Sequence, residues 1–429
     1  MHKPFIPGLG LAAVLVTAAL ASCGGDEDGV TPTPDSGHVA DSGNPPADSG
    51  TPDAGDDAGS DDAGTDDAGT DAGTPDDAGT PDDAGTPDAG APDGTVTIPN
   101  ALSGFNLFTG TPAAGGLRPV EGNVPYALTT PLFSDYSVKS RTLYIPPDAQ
   151  ARYSANDVLD LPVGTIITKT FAFPADLRTP EENVRVIETR VLVRQPTGWE
   201  AFPYFWNEAQ TEATLANGGR VVRGVRFIGE DGVERTLDYL VPSKNQCQKC
   251  HHLQDAQENQ VLVPIGVKAR YLNQDHDYGN GPVNQLQHLA NLGRLTGLPP
   301  VDQVPREPNA FNPEEATLER RARAYLDINC AHCHNPKGTA GTTSRLFLNV
   351  DNTDEFTLGV CKRPGSAGGG VGGEFDIVPG SHSTSILWYR LHTEESGKMM
   401  PELGRVLRHD QGSQLIADWI DAMPARACR

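Results

Sequence analysis

Methionine, aromatic side chains and long apolar runs are all scarce in this chain of 429 residues. There are only four methionines, Met1, Met399, Met400 and Met423, and aromatic residues make up 6% of the whole. One short apolar run, residues 9–20, falls short of the roughly 20 residues that a bilayer-spanning helix needs, so no transmembrane span is expected. From residue 26 to about residue 99 the chain lacks aromatics, Lys and Arg altogether and consists mainly of Asp, Ala, Gly, Thr and Pro. Such a stretch cannot bury enough apolar surface to offset its chain entropy, so it is expected to be a disordered, extended spacer. The acidic balance sits mostly there. Residues 26–100 hold 20 of the 57 acidic residues of a chain whose net charge is −24, so the rest is only mildly acidic. A nucleic-acid surface would need a basic patch and is not expected.

The N-terminus has a positive start at Lys3, the short apolar run, and then Leu20-Ala21-Ser22-Cys23. Small residues just ahead of the cysteine read as the cleavage site of an export signal, residues 1–22. The four residues resemble a bacterial lipobox, which implies a lipidated Cys23 as the mature N-terminus and a lipid anchor to the membrane. The protein is then expected on the periplasmic or cell-surface side, at the outer membrane.

Seven cysteines are present, and four fall into two C-x-x-C-H motifs: Cys247-Gln248-Lys249-Cys250-His251 and Cys330-Ala331-His332-Cys333-His334. Two thiols at this spacing can each bond one vinyl group of a haem, and the adjacent histidine can ligate the iron. The spacing therefore predicts two c-type haems, one on Cys247, Cys250 and His251, the other on Cys330, Cys333 and His334. A shared zinc site is the competing reading, but zinc needs no histidine after each second cysteine, and the motifs lie roughly 80 residues apart, beyond zinc-ribbon spacing. A thioredoxin-like dithiol would need a βαβ setting that neither motif shows. In an oxidising compartment the remaining pair, Cys361 and Cys428, is expected to form a disulfide.

The predicted fold is mixed. Residues 100–243 form a β-rich domain, a sandwich or barrel, with strands at 164–173, 184–194, 201–206, 220–228 and 233–241 marked by β-branched and aromatic content. Trp199, Tyr204 and Trp206 read as core, and Glu188, Arg190, Arg194 and Glu208 as a solvated face. Residues 244–310 carry the first haem motif and a helix over 284–295. Residues 311–429 read as an all-α, cytochrome c-like domain. Its first helix is expected to start at Asn312 with Pro313 at the first helical position, and its last carries the stripe Leu415, Ile416, Trp419, Ile420 and Met423.

Between those helices, Met399-Met400-Pro401 resembles the distal-ligand loop of class I cytochromes c, which implies Met400, with Met399 as rival, as the second axial ligand opposite His334. No methionine lies between His251 and the second motif. The first iron is left with His288, or with an open position; His252 is adjacent to the proximal residue, and His276, between Asp275 and Asp277, reads as a surface residue.

The runs Leu132-Phe133-Ser134-Asp135-Tyr136, Pro162-Val163-Gly164-Thr165, Glu188-Thr189-Arg190, Gly198-Trp199-Glu200 and Trp206-Asn207-Glu208 stand with the second haem motif and the Met-Met-Pro-Glu-Leu-Gly segment. Together they resemble a family of bacterial diheme c-type cytochromes, often lipoproteins, with a β-rich region ahead of two haem motifs. The resemblance runs from about residue 100 onward and implies haem number and architecture. The expected role is electron transfer to and from other redox proteins of the cell envelope. The alternatives are a diheme oxidoreductase or peroxidase-type enzyme with an open position on the first iron, and a β docking module that delivers a cytochrome to a partner enzyme.

Overall fold

The computed structural model describes residues 93–365 and 371–429; Cys23, the expected export signal and nearly all of the acidic stretch lie outside the described residues. The described part is β-rich with a helical C-terminal region.

Its centre is a six-stranded antiparallel sheet: β1 (Asn123–Pro125), β2 (Val138–Tyr144), β3 (Ile166–Phe173), β4 (Arg185–Gln195), β5 (Gly198–Trp206) and β6 (Ala213–Leu215), each paired with the next in the chain. A hairpin of β7 (Arg220–Ile228) and β8 (Glu234–Val241) follows. The strands read from composition are all present, within a few residues. β2 is an addition, because its Val-Lys-Ser-Arg-Thr-Leu-Tyr sequence mixes charge into the β pattern.

Both faces of the sheet are covered. One face carries Ile166, Val191, Val193, Phe202, Tyr204 and Trp206 into a core with Leu102 and Leu107. The other is shared. Leu143 and Ile167 pack at one end with Tyr271, Leu286 and Ile328, while Phe171, Phe173 and Ile187 pack at the other with Phe227, Leu237 and Tyr239 of the hairpin. Tyr204 and Trp206 are therefore core, as their aromatic content suggests, whereas Trp199 is half-buried at the edge of the core around Leu143. Glu188 is a correction: it is 0% exposed. It is tolerated there because Arg190 bonds both its oxygens, at 2.9 and 2.6 Å, and the Tyr239 hydroxyl donates to it at 2.6 Å; a buried charge survives only when paired and hydrogen-bonded. Glu208 is exposed, as expected.

After the hairpin come α1 (Lys244–His251), the short paired strands β9 (His252–Gln254) and β10 (Gln260–Leu262), and α2 (Gln285–Asn291), capped by the Asn284 side chain. The C-terminal region holds α3 (Leu318–Asn329), α4 (Ile386–His392) and α5 (Asp410–Asp421), packed around Leu326, Leu348, Ile377, Ile416, Trp419 and Ile420. α3 begins later than its sequence suggests. Asn312 spends its side chain on the Glu314 amide in a local turn, and Thr317, whose oxygen accepts from the Arg320 amide, is the cap. Cys361 and Cys428 are joined, tying a loop of this region to the C-terminus.

The run 132–136 clamps the two regions together. The Phe133 amide donates to Asn329 Oδ1 at 2.8 Å, the Phe133 ring stacks on His409 at 4.1 Å, and Asp135 Oδ1 accepts the Val406 and Leu407 amides at 2.7 and 2.8 Å. Asp135 and Tyr136 hold φ of 49° and 61°, a region that ordinary residues enter only when their contacts over-determine it.

Candidate functional site

The first motif owes its geometry to a single helical turn. Ser243 and Gln246 form a reciprocal capping box at the start of α1. Cys247, Cys250 and His251 then stand at i, i+3 and i+4, the spacing that puts side chains on one helix face. Cys247 is 8% exposed. His251 Nδ1 lies 2.7 Å from the Val263 carbonyl. A carbonyl oxygen can only accept, so Nδ1 carries the proton and Nε2 keeps its lone pair. A bond of this kind orients a metal-ligating histidine. Burial lowers the His251 pKa to about 4, which keeps the ring neutral at ordinary pH.

The second motif turns off the end of α3. Cys330 is the cap residue, and the Cys333 and His334 amides both bond the Cys330 carbonyl, at 3.1 and 2.9 Å, so the motif continues as one tight turn. Cys330 packs against the C-terminal apolar core, and burial raises its thiol to about 12. Burial also lowers His334 to about 4; its Nδ1 is buried without a hydrogen-bond partner.

The two motifs, remote in sequence, meet. The Cys333 thiol reaches the Lys249 carbonyl at 3.5 Å. Ligand atoms of Cys250, His332 and Cys333 all lie within 4.8 Å of one another. Beyond the motifs, the Gln254 amide bonds the Lys337 carbonyl at 2.9 Å, and Leu253 bridges Gly338. Cys250 is held well below the ordinary thiol range, by the Cys333 S–H first and His332 after it. His332, not singled out in the sequence, has its Nδ1 buried and unpartnered.

Two adjoining cavities open beside the first motif. The larger, about 970 Å³, is lined by Cys250, His252, His332, Trp199 and Tyr271 among others. The smaller, about 90 Å³, is lined by Cys247, His251, Arg141, Lys169 and Arg190. They share Ala201, Pro264 and Ile265 as common wall. The larger lies at the upper end of the volumes that hold cofactors. The thiol pair and the oriented His251 are the donor set that a covalently held haem needs; the smaller cavity, which Cys247 and His251 line, does not by itself hold a macrocycle.

His288 stacks on Tyr278 with ring centroids 3.6 Å apart and lines neither cavity. Met400 is half-buried. Its amide bonds the Arg390 carbonyl at 2.9 Å, and its own carbonyl accepts from Arg405 Nε at 2.9 Å. Arg390 also contributes to the field that lowers His334, so the Met400 loop belongs to the surroundings of the second motif. Arg141 and Lys169 line the smaller cavity and were not expected from the sequence; their signal was the charge inside β2 and β3. Compared with known proteins, the chain matches no family profile, no curated protein and no solved structure.

Proposed function

We propose that the chain is a diheme c-type cytochrome that transfers electrons in the cell envelope, tethered through a lipidated Cys23. The observation that carries this reading is the meeting of the two C-x-x-C-H motifs, with Cys250 and Cys333 side by side. Cys247, Cys250 and His251 would hold one haem, and Cys330, Cys333 and His334, with Met400, the other. Each haem, when bound, supplies an iron that takes up and releases one electron. The chain's part is to fix that iron and keep water from it. Val263 fixes the tautomer of His251, and the apolar cores behind Cys330 and around Leu143 and Ile167 exclude solvent. In this reading the C-terminal region is a cytochrome c-like domain, the adjacent motifs form a short relay, and the partners are redox proteins of the envelope.

Expression in a host competent for haem attachment tests it. Denaturing mass spectrometry should show two added haems, and replacing Cys247 and Cys250 with Ala should remove one of them. An unmodified chain would sink the reading.

A second reading has its own observation. Cys250, His332 and Cys333 offer three soft or borderline donors close enough for one transition-metal ion. It leaves Cys247, Cys330, His251 and His334 without a role. Zinc bound at one equivalent to a chain without haem would favour it.

A further inference from the structure

The face of the sheet against which the first motif sits carries a row of cations. Arg141 of β2 is directly opposite Lys169 of β3, and Lys169 is directly opposite Arg190 of β4. Lys139 lies two residues along β2 on the same face, opposite Phe171, which is in turn opposite Glu188. Like charges paired directly across strands destabilise a sheet, so three in register need a compensating charge.

The protein supplies only part of it. Glu188 is committed to Arg190 and Tyr239. Asp135, the other nearby carboxylate, is committed to the Val406 and Leu407 amides. Lys139 donates to the Ser137 carbonyl at 2.7 Å. Lys169 and Arg190 lie over the Phe171 ring, at 4.9 and 4.2 Å. Arg141 is 8% exposed, and its Nη2 is buried without any hydrogen-bond partner. Four basic side chains against two carboxylates leave a formal surplus of two positive charges; without an anion beside them, burial pushes the Lys169 amine well below its ordinary range and Lys139 down to about 7, so the row carries its full charge only with a counter-charge in place. Arg141, Lys169 and Arg190 line the same cavity as Cys247 and His251.

We infer that this row is a carboxylate-binding site, and that it takes the two propionate groups of the haem attached at Cys247 and Cys250. The inference rests on the diheme reading. The chemistry matches in charge, because a haem carries two propionates, and in geometry, because a guanidinium offers a carboxylate two parallel donors. It also gives the β region a task that its sequence does not announce: the sheet floors the first haem and sets the field at its iron. Positive charge held near the ring disfavours the oxidised, more positive iron, so the row raises the potential of the first haem relative to a neutral wall.

The test uses the full chain, matured with its haems, and the variants Arg141→Gln, Arg141→Lys and Lys169→Gln. Haem count by denaturing mass spectrometry is read beside the midpoint potential of each haem and the resonance Raman bending modes of the propionates. The expected result is two haems in every variant, with the first midpoint lowered in Arg141→Gln and Lys169→Gln and less affected in Arg141→Lys. The second midpoint stays in place, and the propionate modes shift. Should Arg141→Gln not accumulate as folded protein, Lys169→Gln carries the same test, since it removes a cavity-facing charge and leaves the buried fork in place. Two attached haems with unchanged midpoints and propionate modes in the folded variants would overturn the assignment and leave the diheme reading intact. Succinate added to the wild-type holoprotein separates the other source of carboxylates. Calorimetric binding that Arg141→Gln abolishes would make the row a site for a free dicarboxylate, and would also overturn the propionate assignment. A wild-type chain without haem would remove both proposals together.

Discussion

One cysteine pair, Cys247 and Cys250, lies on a short helix pressed against a β-sheet, whereas the other, Cys330 and Cys333, turns off a long helix inside an apolar helical core. The first histidine has its Nδ1 proton tied to a backbone carbonyl and a wall of cations nearby. The second has a buried Nδ1 without a partner, apolar neighbours for its cysteine, and a methionine-bearing loop tied to Arg390. Five residues of common local chemistry thus sit beside a row of basic side chains on a sheet in one case, and against an apolar helical core with Arg390 and Lys362 near its histidine in the other. Since the field and the axial partner set the potential of a haem, the proposed diheme reading expects the two haems to differ in potential.

The largest expected effect separates the sites outright. Replacing Cys330 and Cys333 with Ala should remove one haem by mass and leave the first attached, as the reciprocal pair does for the other site. Loss of both haems from either double variant would mean that the motifs act as one site.

Next is the helical core. Leu326 is 0% exposed beside Ile416 and Trp419, so Leu326→Ala should cost about 2–5 kcal/mol in a denaturant melt followed by the second haem. An equal loss of structure at the sheet, followed by Trp206 fluorescence, would show that the two regions unfold together; a smaller loss would show that they do not.

Removing the link between Cys361 and Cys428 comes third. It constrains a long loop of the C-terminal region only, and Cys361→Ser with Cys428→Ser should cost about 2–4 kcal/mol there. Thiol labelling of the denatured, unreduced wild type should find neither residue free.

Met400→Ala should abolish the far-red iron–sulfur absorption of the oxidised second haem and leave the spectrum of the first unchanged. Persistence of that band in Met400→Ala, with its loss in Met399→Ala, would move the ligand by one residue.

The smallest effect concerns the clamp between the regions. Burial, with Lys139 next, lowers His409 to about 4, against about 6.5 in an unfolded chain. The unfolded state therefore binds the proton more readily. The stability His409 contributes is full above pH ~6.5 and declines as pH falls toward about 4. His409→Phe, which keeps a ring against Phe133 at the loss of the Tyr325 hydrogen bond (3.1 Å), should flatten that part of the acid limb. An unchanged limb would mean that other groups set it.

The legible parts of the molecule are the local ones. Both C-x-x-C-H motifs fit within a helical turn, so their spacing already states which three side chains act together. Val, Ile, Phe and Trp content marked β3, β4, β5 and the hairpin, and the Leu415–Trp419–Ile420 stripe marked α5. β2 was hidden because Lys139 and Arg141 stand where an ordinary half-buried strand would place apolar residues. Glu188 and Arg190 were misplaced for the same reason: charge in a strand reads as a solvated face, and only the hairpin packed over Glu188 and the first motif beside Arg190 decide otherwise. Asn312 looked like a helix cap because its sequence neighbours are right; its bond to the Glu314 amide used up the side chain in a turn.

What the amino-acid sequence by itself determined is the chemistry available: two cysteine–histidine motifs, a pair of leftover cysteines, methionines near the second motif and none near the first, and an acidic stretch without aromatics. The tertiary structure alone decided which of these meet. Cys250 and Cys333 come together because β9 and the segment after the second motif pair, and Arg141, Lys169 and Arg190 line up because sheet register places residues from three strands opposite one another. Contacts of that kind join positions far apart along the chain, and their charge is stable only in the company of everything packed around them.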